Sequence, residues 1–141
     1  MTVLELLLGK DADVEKATRF GARPLMIAAL YGQATCARRL LEAGAAVNAQ
    51  NENGDTALLH AAWKGHKQVV EALLQAGCDV DLPNRRGRTP LMKAATNNRL
   101  GVAKMLLEAN ANKGLMNVQN RTALQIAEDC GHSEIVALLQ E

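Results

Sequence analysis

The side chains best suited to chemistry in this chain are its histidines and cysteines, and they are few and widely spaced. They are His60, His66 and His132, with Cys36, Cys78 and Cys130. A structural zinc site takes ligands in closely spaced pairs, and nucleophilic catalysis needs a thiol or hydroxyl beside a base. Neither pattern occurs, and neither common glycine-rich phosphate loop is present. We therefore expect no catalytic residue, metal site or cofactor, and we do not expect an enzyme.

The same cysteines, with the overall charge, indicate a cellular setting. An odd number of thiols at unpatterned spacing indicates reduced cysteines in an intracellular protein, so we expect the cytoplasm, the nucleus or both. The formal charge of +1 does not favour wholesale attraction to nucleic acid or membranes. No apolar run is long enough to predict a membrane span, and no basic leader precedes a cleavage site.

Positive charge is densest at Arg85, Arg86 and Arg88, and Arg121 follows further along the chain. The interpretation that requires no function is that the cluster lies on a solvated turn. Phosphate binding is a second interpretation, which the small net charge and the scarcity of aromatic residues weaken. Because arginine is enriched among interface hot spots, an acidic patch on a peptide or protein is the better functional interpretation.

The elements that position these residues recur at a regular step of about 33 residues, a length typical of stacked repeats. Four frames open at Gly21, Gly54, Gly87 and Asn120. A similar sequence motif follows the first residue of each frame. Each frame ends in a leucine pair, at Leu40-Leu41, Leu73-Leu74, Leu106-Leu107 or Leu138-Leu139. A repeat of this length predicts stacked units that share one continuous core, with function on the surface of the stack.

The period and the repeated sequence motif resemble the ankyrin repeat, whose signature is roughly T-P-L-H-x-A at a period of 33 residues. The matching stretches are Arg23 to Ala28, Thr56 to Ala61, Thr89 to Ala94 and Thr122 to Ala127. The signature histidine is replaced in every copy, by Met26, Leu59, Met92 and Gln125. The resemblance implies an all-α solenoid of stacked helix-turn-helix units with β-turn or hairpin tips.

We divide the chain into one domain made of successive units. They are a partial N-terminal repeat at 1–17 (second helix only), repeats at 18–50, 51–83 and 84–116, and a C-terminal capping repeat at 117–141. Thr2 and Glu5 have the spacing of a capping box for the partial unit. The missing first helix suggests a segment of a longer array, and we expect either such a segment or a monomer.

Local signals predict how each unit turns. Thr56, Thr89 and Thr122 occupy the N-cap slot, whereas the first frame has Arg23 there. Where the phase requires glycine, the later frames carry asparagine at Asn98, Asn110 and Asn120. Asparagine also tolerates left-handed backbone, so we expect the same turns there.

One further asparagine lies in a stretch of family interest. Asn48 falls where asparaginyl hydroxylases modify some ankyrin proteins, although Ala46 departs from the acidic residue often found in that stretch. The interpretation we prefer is that the Asn48 side chain hydrogen-bonds its own turn.

The resemblance also implies a binding surface, the concave face formed by turn tips and the solvent side of each first helix. All three aromatic residues of the chain fall on the matching positions. The residues expected to contact a partner are Arg19, Phe20, Leu30, Tyr31, Asp55, Trp63, Lys64, Arg85, Arg86, Arg88, Asn97 and Arg121. Since aromatic residues with arginine are typical interface anchors, we expect an apolar anchor site flanked by a basic end.

Three function classes follow from this surface. The first is a non-catalytic protein-interaction module, such as a scaffold, adaptor or regulator, whose partner carries an apolar residue followed by acidic ones. The second is a nucleic-acid or phosphoinositide binder that uses Arg85, Arg86 and Arg88, and a steep loss of binding with salt would identify it. The third is a targeting array of a larger enzyme. We prefer the first class.

Overall fold

The computed structural model describes residues 23–141. Eight α-helices lie within that range, in four consecutive pairs. The bounds are α1 Pro24–Leu30, α2 Ala34–Glu42, α3 Ala57–Lys64, α4 Lys67–Gln75, α5 Pro90–Thr96, α6 Leu100–Glu108, α7 Ala123–Cys130 and α8 Ser133–Gln140. No strand occurs in the described range. The partial unit at 1–17, its capping box, Arg19 and Phe20 lie outside the described residues.

The helices form two layers. The first helices of the pairs, α1, α3, α5 and α7, contact one another in order. The second helices, α2, α4, α6 and α8, do the same, and each helix also contacts its pair partner. The all-helical solenoid predicted from the repeat is confirmed in residues 23–141.

Small side chains allow the first helices to approach closely. Alanine pairs of the first three of these helices are fully buried, at Ala28-Ala29, Ala61-Ala62 and Ala94-Ala95. The second helices contribute larger apolar residues, among them the fully buried Leu40, Leu73 and Leu106. These residues belong to one continuous apolar core, which is how stacked units that cannot bury an apolar face alone become stable together.

Side-chain caps begin three of the four first helices, as predicted. The Thr56 hydroxyl accepts a hydrogen bond from the Leu59 N–H, and the Thr89 hydroxyl accepts one from Met92. Thr122 goes further, because the Gln125 side chain also accepts from the Thr122 N–H and completes a capping box. No side-chain hydrogen bond caps α1 at Arg23.

The three asparagines take the left-handed backbone expected of them. Asn98, Asn110 and Asn120 have φ angles of 57°, 67° and 60°. The turns on either side of α6 and before α7 therefore keep the geometry that glycine provides in the earlier units. Residue identity changes at this junction while the backbone path is retained.

A second set of asparagines, which we did not identify in the sequence, builds the turn tips. The Asn51 side-chain oxygen accepts hydrogen bonds from the Asn53 and Asp55 N–H groups, at 2.9 and 3.0 Å. Asn84 and Asn117 do the same in the next two units. At each tip a backbone bond closes the turn, as from the Gly54 N–H to the Asn51 carbonyl (2.9 Å), which makes the tips β-turns.

Neighbouring tips are joined by backbone hydrogen bonds. The Arg85 N–H donates to the Asn53 carbonyl and the Val118 N–H donates to the Arg86 carbonyl, both at 3.0 Å. The step of the sequence repeat is thus reproduced in the backbone bonding between units.

The bends between paired helices are also tied to the preceding unit. The His66 ring Nε2 lies 3.1 Å from the Leu30 carbonyl, and the His132 Nε2 lies 3.1 Å from that of Thr96. Between them, the Arg99 Nε donates to the Trp63 carbonyl at 3.2 Å. The recurrence of these histidines is therefore structural, as the repeat predicts.

The expectation for Asn48 was wrong. Its side-chain oxygen accepts a hydrogen bond from the Asp79 N–H of the next unit, at 2.8 Å, instead of bonding its own turn. Asp81 repeats the contact by accepting from the Asn112 N–H at 2.9 Å. Stacking brings the next loop within reach, and this proximity cannot be read from local sequence.

Candidate functional site: a basic pocket on the first-helix face

The surface that could receive a partner is formed by the turn tips together with α1, α3, α5 and α7, and we call it the first-helix face. Tyr31, at the end of α1, is 64% exposed. Leu30 beside it is half-buried. At the corresponding end of α3, Trp63 is half-buried and Lys64 is exposed.

The turn tips that precede the second and third helix pairs line a cavity of about 290 Å³. Its lining is Asn53, Asp55, Asn84, Arg85, Arg86, Arg88 and Lys93, and we call it the basic pocket. Four of the predicted contact residues therefore come together here. Lys93 was not among the contact residues predicted from the sequence.

Asp55 is the carboxylate in the lining of the basic pocket. Its Oδ1 accepts a hydrogen bond from the Asn84 side-chain amide at 2.9 Å, and its backbone N–H is held by Asn51. The carboxylate is thus oriented by its own tip and by the next one, instead of being free to turn toward solvent.

Lys93 lies on α5 and reaches back over the preceding unit. Its ammonium nitrogen is 4.6 Å from the centre of the Trp63 ring, a cation–π contact. Desolvation lowers the pKa of Lys93 from its usual 10.5. Asp55 opposes that change in pKa, whereas the nearby positive charges of Arg88 and Arg86 add to it.

His60 occupies the same slot as Lys93 one unit earlier. Burial lowers the pKa of His60 from its usual 6.5. Asp55 acts in the opposite direction, and the positive charge of Lys93 adds to the lowering. Burial therefore favours the neutral form of the His60 side chain, and the charge of this region comes chiefly from Lys93, the arginines and Asp55.

Two other predicted contact residues, Asn97 and Arg121, form contacts outside the basic pocket. The Asn97 side-chain amide donates to the Trp63 carbonyl at 2.8 Å, which fixes the end of α3 against α5. Arg121 forms an ion pair with Asp129 of its own unit, so its charge is locally balanced. Neither residue lines the basic pocket.

Lys93 and His60 could have been found by one signal. They occupy the variable position of the repeated motif, which holds Ile27 and Ile126 in the first and last units. All four are half-buried. A polar residue at a half-buried repeat position marks a place where the surface departs from the shared scaffold.

A larger cavity of about 680 Å³ lies on the other layer, between α6 and α8. It is lined by Lys104, Leu107, Glu108, Asn110, Ala111, Lys113, Leu138 and Glu141. Two lysines and two glutamates balance each other there, and the Lys113 ammonium donates to the Glu141 carbonyl oxygen at 2.7 Å. Although this cavity is larger, the charged side chains in its lining balance, so it does not favour an anion as the basic pocket does.

Within residues 23–141, no group of three or more His, Cys, Asp or Glu side chains is arranged to hold a metal ion. None of the helices in that range is long and apolar enough to cross a lipid bilayer.

A family model described as ankyrin repeats, in three copies, matches residues 1–84 and 76–141. No curated protein gives a significant match. The family match agrees with the paired helices, the turn tips and the regular repeat step described above.

Proposed function

Because the chain belongs to the ankyrin-repeat family, we propose that it is a non-catalytic scaffold, adaptor or regulator that binds a partner protein or peptide on its first-helix face. Ankyrin repeats are generally protein-interaction modules. Fold alone does not name a partner, so the argument for this chain rests on its own surface.

The observation that carries the proposal is the exposure of Tyr31. At 64% it is the only aromatic side chain among the large exposed apolar residues of 23–141, the others being Met116 and Val118. Tyrosine combines a large apolar ring with a hydroxyl that can donate or accept, and it is enriched at the centres of interfaces. An exposed tyrosine on the face that also carries the basic pocket supports partner binding there.

The chemistry of the face indicates the chemistry of the partner. Tyr31 would contact an apolar residue, and Trp63, half-buried beneath Lys93, would add to that contact. Arg85, Arg86 and Arg88 would receive acidic groups that follow the apolar residue. The cytoplasm or the nucleus is the proposed location, where the unpaired thiols of Cys36, Cys78 and Cys130 stay reduced.

Affinity capture with quantitative mass spectrometry tests the proposal. The tagged wild type is compared with Tyr31→Ala and Trp63→Ala, and with Gln75→Ala, a control on the second-helix layer. A genuine partner is depleted at least several-fold by the first two variants and retained by the control. Unfolding curves for each variant separate lost contact from lost folding. A partner captured equally by all four proteins would refute this assignment of the surface.

The exposure of Arg85 and Arg86 favours one alternative, binding of nucleic acid or phosphoinositide. That class depends on release of counterions, so its affinity would fall steeply between low and high salt for RNA, DNA or phosphoinositide vesicles. Interaction with a protein through Tyr31 and Trp63 would be much less sensitive to salt. The same surface would also suit a targeting array of a larger enzyme. In that case the captured partner would be a substrate of that enzyme.

A further inference from the structure

The basic pocket contains more positive charge than the protein neutralises. Within residues 23–141 the guanidinium groups of Arg85, Arg86 and Arg88 form no hydrogen bond or ion pair. Lys93 adds a fourth cation, and Asp55 is the lone carboxylate in the lining. Four cations around one carboxylate leave an excess of positive charge concentrated in one cavity.

The positive charges of the basic pocket also repel one another. Arg86 and Arg88 both lower the pKa of Lys93, which means that their charges repel its ammonium group. An anion placed among them would relieve this repulsion and gain several charge-assisted hydrogen bonds. The pocket is therefore arranged for a ligand of negative charge.

The pocket is held in shape by backbone and not by long side chains alone. Its two tips are joined by the hydrogen bond from the Arg85 N–H to the Asn53 carbonyl, at 3.0 Å. They approach so closely that a Cβ atom on Gly54 would lie 2.9 Å from the Arg85 nitrogen. Asn84 links the tips again through its bond to Asp55. The backbone of the site is therefore fixed before a ligand binds, and only the long side chains remain to be ordered.

Charge and geometry distinguish between the possible anions. A carboxylate offers one negative charge and two oxygens, and Asp55 already supplies one such group. A phosphate monoester carries close to two negative charges at neutral pH and three terminal oxygens, so two guanidinium forks and an ammonium can bind it together. A cavity of about 290 Å³ accommodates one such group and not an extended helix of nucleic acid.

We propose that the basic pocket binds a phosphorylated side chain of a partner peptide, with Arg86, Arg88 and Lys93 as the groups that contact the phosphate. The inference rests on the proposed function, since it assigns the charged part of the partner. It makes binding of that partner dependent on a kinase, and the apolar contact at Tyr31 independent of one.

Fluorescence anisotropy tests the inference with labelled peptides of otherwise neutral sequence that carry phosphoserine, serine or glutamate at one position. For the wild type, the phosphoserine peptide is expected to bind at least about tenfold more tightly than the serine peptide, and more tightly than the glutamate peptide. Arg86→Gln, Arg88→Gln and Lys93→Gln are each expected to remove most of that preference.

Arg38→Gln is the matched control. Arg38 is an exposed arginine on α2, outside the basic pocket, and its replacement changes the net charge by the same amount. The control should bind the phosphoserine peptide as the wild type does. Equal weakening by Arg38→Gln and Arg86→Gln would show that only overall charge matters, and would overturn the proposal.

Three other results would also overturn it: equal affinity for the serine and phosphoserine peptides, equal affinity for the glutamate peptide, or tighter binding to phosphoinositide vesicles than to the phosphoserine peptide. These failures leave the proposed function testable. Loss of a captured partner in Tyr31→Ala, with no preference for phosphoserine, would retain the interaction module and reject the phosphate site. Retention of the partner by Tyr31→Ala, with phosphoserine preferred, would retain the phosphate site and reject Tyr31 as the apolar contact.

Discussion

The Lys93 ammonium lies 4.6 Å from the centre of the Trp63 ring, so a cation of one repeat covers the aromatic residue of the repeat before it. This contact joins the two parts of the first-helix face. The same Lys93 side chain also lines the basic pocket, so the charged and apolar parts of the face meet at this residue.

Lys93→Met is expected to alter how stability depends on alkaline pH. The pKa of Lys93 is lower in the folded protein than its usual 10.5, so between those two values the unfolded chain holds more protons than the folded one. The free energy of unfolding of the wild type, measured relative to that of Lys93→Met, should therefore rise with pH through that window. Urea denaturation of both proteins from neutral pH up to the usual lysine pKa measures the difference, and parallel curves would contradict the prediction.

His60→Gln is expected to reduce the sensitivity of the fold to mild acid. Burial lowers the pKa of His60 from 6.5, so the stability linked to the neutral ring is present above pH 6.5 and is lost as the pH falls toward the folded-state pKa. Below pH 6.5 the wild type should lose stability faster than His60→Gln. Chemical denaturation at about pH 7.5 and about pH 5 measures this, and equal losses would show that His60 is not the group responsible.

The three thiols are expected to react very differently. Cys36 is buried and its pKa is raised by desolvation. Burial and the neighbouring Asp79 raise the pKa of Cys78 to about 11, so almost none of it is thiolate at about pH 8. Cys130 is exposed. Iodoacetamide at that pH should add one label, at Cys130, by intact mass and peptide mapping.

Denatured protein is the control for that experiment, because all three thiols should then react. Rapid labelling of Cys78 in the folded protein would show that the loop that follows α4 opens far more readily than its packing indicates.

Gly54→Asn and Gly131→Asn form a matched pair. Both glycines have left-handed backbone, with φ of 78° and 73°, which asparagine tolerates. At Gly54 a new Cβ would lie 2.9 Å from the Arg85 nitrogen, whereas at Gly131 it would meet nothing within 4 Å. Gly54→Asn should therefore cost about 1–3 kcal/mol of unfolding free energy, and Gly131→Asn under about 1 kcal/mol. Equal costs for the two variants would show that the close contact with the next unit is not the reason why position 54 requires glycine.

Thr89→Ala should lower the free energy of unfolding by about 1 kcal/mol, because the buried hydroxyl of Thr89 caps α5 by accepting from the Met92 N–H. Thr89→Ser keeps an oxygen in place and should recover most of that loss. Thermal or urea denaturation measures both variants. A serine variant as unstable as the alanine one would assign the effect to the lost methyl group instead of the cap.

Much of the backbone could be predicted from the sequence, since it depends on short-range preferences. The caps at Thr56, Thr89 and Thr122 and the left-handed turns at Asn98, Asn110 and Asn120 were predicted, and they are confirmed. Each depends on a residue's own φ and ψ or on a bond to a residue three positions away.

The candidate site was only partly predictable. Arg85, Arg86 and Arg88 were selected because they are close together in sequence, and they do line one cavity. Lys93 was missed, and Arg121, selected with the cluster, is paired with Asp129 instead. Closeness in sequence shows which charges share a turn, but it does not show which side chain reaches across from the next helix.

The sequence by itself determined the repeat, its two helices per unit and the places where the chain turns, because these follow from local backbone energetics and a periodic apolar pattern. The tertiary structure alone decided which units touch through which groups. Asn48 bonds the next loop, Lys93 covers Trp63 of the previous unit, and Asp55 is held by Asn84. Such contacts depend on the distance between stacked units and the reach of each side chain, and those quantities exist only once the stack has formed.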